Sequence, residues 1–155
     1  MYKSRKLHIY GSWIIVVAWM VLIFNLSAQP AHQSNKLSKG VTGTVVETIH
    51  KVNPSTEITV DSLNHMVRKN AHFIVYLVLG ILVVMALSVS GVLGWKTIIY
   101  GLGLCVLYAI SDELHQIFVP GRGAQVKDVM IDSSGALVGI GIGMGTRSLW
   151  SSRGT

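Results

Sequence analysis

The sequence predicts an all-α fold: an integral membrane bundle of four transmembrane helices with a short amphipathic helix in the first outer loop. Three observations predict it. Half of the 155 residues are hydrophobic and only 13% are charged, against about 25% in an ordinary soluble domain. The apolar residues gather in four blocks, each near the ~20 residues that cross a hydrocarbon core. Glycine- and proline-bearing turns separate the last three of them. The mean hydropathy of +0.52 rules out a soluble enzyme. A formal charge of +6 and a pI near 9.7 could point to nucleic acid. The basic residues, however, sit at helix ends and in loops rather than on one polar surface. Membrane lipids are therefore the expected partner, and nucleic acid is not.

The first block covers residues 9–26, behind the basic Lys3, Arg5 and Lys6. A secretory signal peptide is the rival reading, because Ser27 and Ala28 are small. Signal-peptide cores, though, usually run only ~7–15 apolar residues. The second block covers 71–89, the third 97–119 and the fourth 129–150. Gly91 and Gly94 mark the turn between blocks two and three, and Pro120-Gly121-Arg122-Gly123 the turn between three and four. Residues 27–68 form the outer loop. Within it Val41, Val45, Ile49 and Val52 recur at helical spacing, which predicts an amphipathic helix lying on the membrane. The length suits one domain spanning 1–155. Cys105 is the single cysteine, lies in an apolar run, and reads as a small buried hydrophobe.

Orientation follows from the distribution of charge. With the N-terminus inside, the cytoplasmic side holds Lys3, Arg5, Lys6, Lys96, Arg147 and Arg153. The outer side holds the seven other basic residues and all seven acidic ones. The basic counts nearly tie, but residues in a long outer loop weigh less. The inside is then uniformly basic, so both termini are expected to be cytoplasmic.

The informative residues are those that a bilayer disfavours. In the second helix Arg68, His72 and Tyr76 are spaced four apart and share a face, with Lys69 beside them. In the third, Tyr108, Asp112, His115 and Gln116 fall within about 100° of arc, with Glu113 adjacent. In the fourth, Asp128 and Asp132 are followed on the same stripe by Gly135, Gly139 and Gly143. All three polar faces reach the outer end, where they can converge with Arg122. The glycine stripe reads most simply as a close helix–helix packing surface. Tyr76 and Tyr108 could be interfacial anchors, and Arg68 with Asp112 or Asp128 a structural ion pair. The set as a whole exceeds what a small bundle needs for stability. Its available chemistry is acid–base work or anion binding. Adjacent Asp112 and Glu113 resist ionising together in a low-dielectric site, so one would hold a proton that His72 or His115 could shuttle. Arg68, Lys69 and Arg122 could hold a phosphate or carboxylate. The chain has no metal-binding spacing, phosphate loop, nucleophile elbow or dinucleotide fingerprint, so neither a metal nor a cofactor is expected.

Three stretches resemble the VanZ-like family. They are Arg68-Lys69-Asn70-Ala71-His72-Phe73 followed by Tyr76, the run from Tyr108 through Asp112-Glu113 to Val119-Pro120-Gly121-Arg122, and Asp128 with Asp132-Ser133-Ser134-Gly135 and Gly139. The likeness covers about residues 68–145, with a looser echo at Ser27-Ala28-Gln29. Asp132 departs from it, since the family usually has asparagine there. The resemblance implies a small bacterial multi-pass membrane protein; the family's named member is associated with resistance to teicoplanin, a lipoglycopeptide that binds peptidoglycan precursors. It does not supply a mechanism. Three readings stay open. The outer cluster could bind a lipid headgroup, a cell-wall precursor or the lipoglycopeptide. It could instead be the site of an enzyme acting on an envelope lipid, with Asp112, Glu113, His72 and His115 as acid–base residues. It could also simply hold the bundle together. In the binding reading Arg68, Lys69, Tyr76, Tyr108, Gln116, Arg122, Asp128 and Asp132 make the contacts. The oligomeric state is not legible.

Overall fold

The computed structural model describes the backbone of residues 2–30 and 60–152, and within them the side chains of 5–30, 66–67 and 69–147. The described residues form four helices joined by turns, and no strand is found among them. Helix α1 is Tyr2–Ser27, α2 is Val60–Val89, α3 is Trp95–Gln116 and α4 is Val126–Ser152. Each contains a stretch long and apolar enough to cross a membrane: Arg5–Ser27, Lys69–Val89, Trp95–Gln116 and Val126–Arg147. The chain is a multi-pass membrane protein.

The boundaries differ from the sequence expectation at several ends. Helix α2 begins at Val60 rather than near 71, taking in residues assigned to the outer loop. Its 30 residues span about 45 Å at 1.5 Å each, longer than a ~30 Å hydrocarbon core. Hydropathy marks where a helix enters lipid, whereas its hydrogen bonds continue through polar residues such as Arg68, Lys69 and Asn70. Helix α3, in contrast, ends at Gln116, and residues 117–119 form tight turns, with Phe118 N donating to His115 O (3.0 Å) and Val119 N to Gln116 O (3.1 Å). The amphipathic helix expected around Val41, Val45, Ile49 and Val52 lies outside the described residues.

Helix α2 is the central element, and its closest neighbour is α4. Gly135 faces the Phe73 carbonyl, Gly139 the Leu77 carbonyl, and Gly80 of α2 in turn faces the Ala136 carbonyl. At each of these three a methyl group would collide with backbone, so the two helices touch main chain to main chain. This is the packing that the glycine stripe predicts. Helix α1 is pinned by hydrogen bonds across the bundle. Trp19 Nε1 donates to Val75 O (2.9 Å), Trp13 Nε1 to Ser90 Oγ (3.1 Å), and Tyr108 Oη to Met20 O (2.5 Å). Tyr76, Leu79, Val83, Cys105 and Ala109 fill the core with no exposed surface. Outward, Ile14, Val17 and Val21 of α1, Leu107 of α3 and Leu137 of α4 are exposed. In a bilayer such side chains meet lipid tails at no hydrophobic cost.

The two ends of the bundle are chemically different. At one, α2 stops on Gly91, whose φ of 91° carries the left-handed cap, with Val92 N bonded to Leu87 O at 2.9 Å. Basic side chains gather there: Arg147 donates to Ser88 Oγ at 3.1 Å, and Arg5 reaches beside Gly91. The other end is where α1 and α3 finish and α4 begins, and it carries Asp112, Glu113, Asp128 and Asp132.

Candidate functional site

The last turn of α3 buries three polar side chains in succession: Asp112, Glu113 and Gln116 are 2%, 3% and 5% exposed. Their i, i+3 and i, i+4 spacing sets them on one patch of the helix. Gln116 ties them together. Its amide nitrogen donates to Asp112 Oδ2 (3.3 Å) and Glu113 Oε1 (3.1 Å), while its oxygen accepts from Arg122 Nη1 (3.4 Å). The other Glu113 oxygen accepts the backbone N–H of Gln125 at 2.8 Å. The other Asp112 oxygen accepts the hydroxyl of Ser27, at the end of α1, at 2.5 Å.

Arg122 arrives there through the chain reversal after α3. Arg122 N bonds to Val119 O at 3.0 Å, with Pro120 and then Gly121 (φ 77°) between them. That is the pattern of a type II turn, in which proline pre-sets the first central residue and glycine alone takes the second without strain. The turn folds the chain back over the end of α3.

Helices α2 and α4 complete the site. Asp132 is fully buried and faces His72 of α2, with Oδ1 and Nδ1 3.4 Å apart. Neither Asp132 oxygen accepts a hydrogen bond, and the His72 Nδ1 and Tyr76 hydroxyl in the same interior also lack one. His72, Asp112 and Asp132 each offer one ligand-type atom within 4.8 Å of the others. Thus α2, α3 and α4 bring an imidazole and two carboxylates to one point. One turn outward on α4, Asp128 pairs with Lys69 at 3.5 Å. Above the cluster lies a small pocket of about 70 Å³, lined by His72, Gln116, Gly121, Arg122, Gln125 and Asp128 among others. His72 belongs to both the pocket and the buried cluster, and so connects them.

Of the residues singled out from sequence, His72, Tyr76, Asp112, Glu113, Gln116, Arg122, Asp128, Lys69 and Asp132 meet at this end. His115 points elsewhere: its ring lies 4.3 Å from that of Phe24, at a 32° tilt, against α1. Tyr108 is spent as an inter-helix bond to Met20 O, with its ring 6.2 Å from Tyr76. Arg68 lies in α2, and its side chain is outside the described ones. Two participants were not foreseen. Ser27 read as the first residue of the outer loop and a loose echo of the family pattern, yet it is 2% exposed and holds Asp112. Gln125 acts through its backbone, which no side-chain pattern reveals. The His72–Asp112–Asp132 grouping has no local spacing to betray it, since each member comes from a different helix.

No curated protein and no solved structure matches the chain. A model of the VanZ/LLP1 family matches residues 12–147, which takes in most of α1, all of the polar end and α4 through its membrane stretch; the chain belongs to the VanZ/LLP1 family.

Proposed function

We propose that this protein lies in a bacterial cell membrane with both termini cytoplasmic, and that its polar end engages the anionic headgroup of an envelope lipid or cell-wall precursor at the outer leaflet. The observation that carries this is the pocket between the α3–α4 turn and α2, where Arg122 and His72 line a polar recess at one end of the bundle. Its ~70 Å³ has room for a phosphate or carboxylate and not for a glycopeptide. Any protection against teicoplanin would then work through the lipid or precursor that the antibiotic meets, rather than by capture of the antibiotic. Arg122 suits the role because a guanidinium holds planar oxyanions with paired hydrogen bonds.

Protein in nanodiscs, titrated with a polyprenyl diphosphate, should bind it, and Arg122→Gln should weaken binding by about tenfold, the size of one lost charge-assisted contact. Absence of affinity in the wild type sinks this reading. In a susceptible Gram-positive host, Glu113→Gln at equal membrane abundance should reduce any teicoplanin protection that the wild type gives.

One observation favours an enzyme over a binding protein. Asp132 sets its carboxylate 3.4 Å from His72, which itself lines the pocket, so a buried acid backs an imidazole at the recess. Both Glu113 oxygens are already taken as acceptors, so Asp132 is the better placed base. An identical envelope-lipid profile in cells with and without the protein would count against catalysis.

A further inference from the structure

We propose that His72, Asp112 and Asp132 form a binding site for a first-row divalent cation such as zinc or manganese. The three side chains come from three helices, and their ligand-type atoms lie within 4.8 Å of one another. Two ligands about 2.0–2.1 Å from one zinc, at a tetrahedral angle, stand about 3.4 Å apart. His72 Nδ1 and Asp132 Oδ1 are separated by that distance, 3.4 Å. They face each other without making a hydrogen bond.

A second observation points to a missing partner. Asp132 has no exposed surface, yet both its oxygens lack a donor. The hydroxyl of Tyr76, equally buried and one turn along α2 from His72, also has no hydrogen-bond partner. Natural structures seldom leave such groups without hydrogen bonds, and among the described residues Asp132 has only the His72 ring at 3.4 Å to set against its buried charge. A dication answers the shortage: it cancels two carboxylate charges and supplies the bonds that Asp132 lacks. The outer shell is in place as well. Ser27 donates to Asp112 Oδ1 and Gln116 to Oδ2, the kind of support that fixes the orientation of a ligating carboxylate. One imidazole with two carboxylates suits zinc, manganese or ferrous iron, and is a poor match for magnesium or for copper(I).

Such an ion would bear on the pocket. The polar end carries Asp112, Glu113, Asp128 and Asp132, an acidic surrounding for an anionic headgroup. A dication beneath His72 would offset that charge where Arg122 enters. This link to a headgroup rests on the proposed function; the cation site itself does not.

The test is made on full-length protein in nanodiscs of neutral lipid, stripped with chelator and without any phosphate ligand. Zinc, manganese and magnesium chloride are added in turn, and bound metal per chain is counted by mass spectrometry alongside the melting temperature. The expected result is one zinc or manganese per chain and a raised melting temperature, with little response to magnesium. Asp132→Asn keeps the shape of the side chain and should lose affinity by at least a hundredfold. Gly141→Ala, remote from the trio and with nothing within 4 Å of an added Cβ, should bind as the wild type does. The proposal is overturned if stripped wild type takes up no metal, or if Asp132→Asn and His72→Ala bind it undiminished, which would mark an adventitious ion. A repeat of the diphosphate titration with and without metal separates the two ideas. Metal uptake without lipid binding defeats the headgroup reading alone, and lipid binding to metal-free protein that takes up no zinc defeats this one alone.

Discussion

Replacing Gly139 by alanine tests the reason that α2 and α4 pack as they do. A Cβ at Gly139 would fall on the Leu77 carbonyl oxygen, with the carbonyl carbon and Cα of Leu77 close behind. These are backbone atoms inside a helix, so no side chain can swing aside. The helices must separate, and overpacking of this kind costs about 1–3 kcal/mol. The upper end is expected, because separation also loosens the backbone contacts at Gly135 and Gly80 on the same interface. Gly141, two residues on, has nothing within 4 Å of its built Cβ. Alanine there should be neutral or stabilising by up to ~1 kcal/mol, the ordinary helical preference for alanine over glycine. At roughly 2–4 °C per kcal/mol, the melting temperatures of the two variants in detergent, read by size-exclusion after heating, should differ by about 6–16 °C. Equal melting of Gly139→Ala and Gly141→Ala would show that the glycine stripe does not set the helix spacing.

Ser27→Ala removes the α1 donor to a buried carboxylate and should cost about 1–3 kcal/mol, measured as a lowered melting temperature. Cys105 has no exposed surface, so a maleimide should label it only after denaturation; rapid labelling of the folded protein would contradict the packing around it. In a Cys105→Ala background, a membrane-impermeant maleimide applied to intact cells should reach Phe118→Cys at the polar end, where the native side chain is 83% exposed. It should not reach Trp95→Cys at the basic end, and the reverse pattern would invert the proposed orientation.

The existence of the four spans was legible because the bilayer imposes a length and an apolarity that composition reports directly. Their ends were less so. Polar residues at 60–70 read as loop, yet a helix continues through them, because backbone hydrogen bonds carry no hydropathy signature. The polar faces were readable from spacing alone, since Asp112, Glu113 and Gln116 share an arc on any helix. Which of them meet was not. His72 and His115 looked equivalent from their positions, but His72 turns inward to Asp132 while His115 stacks on Phe24. Asp128 and Asp132 likewise share a face, and one turn of helix separates a half-buried carboxylate paired with Lys69 from a fully buried one that faces His72. Such outcomes depend on how α2, α3 and α4 are rotated against one another, a tertiary quantity that no single-helix period contains.

The glycine stripe and the polar cluster, which the sequence offers as separate features, act as one device in the structure. Asp132 and Gly135 are less than a turn apart on α4, and their counterparts His72 and Phe73 are adjacent on α2. Gly135 rests against the Phe73 carbonyl, so the main-chain contact there holds Asp132 at 3.4 Å from His72. Widening the interface at Gly135 moves the cluster directly. Gly143 instead meets the Cβ and Cγ1 of Val84 at 3.2 Å, a tight side-chain contact about three turns away from Asp132. Alanine at 143 should therefore lower stability alone, whereas alanine at 135 should lower stability and pull the two facing groups apart. The small residues that let α2 and α4 approach are, at this end of the stripe, positioning residues for the site.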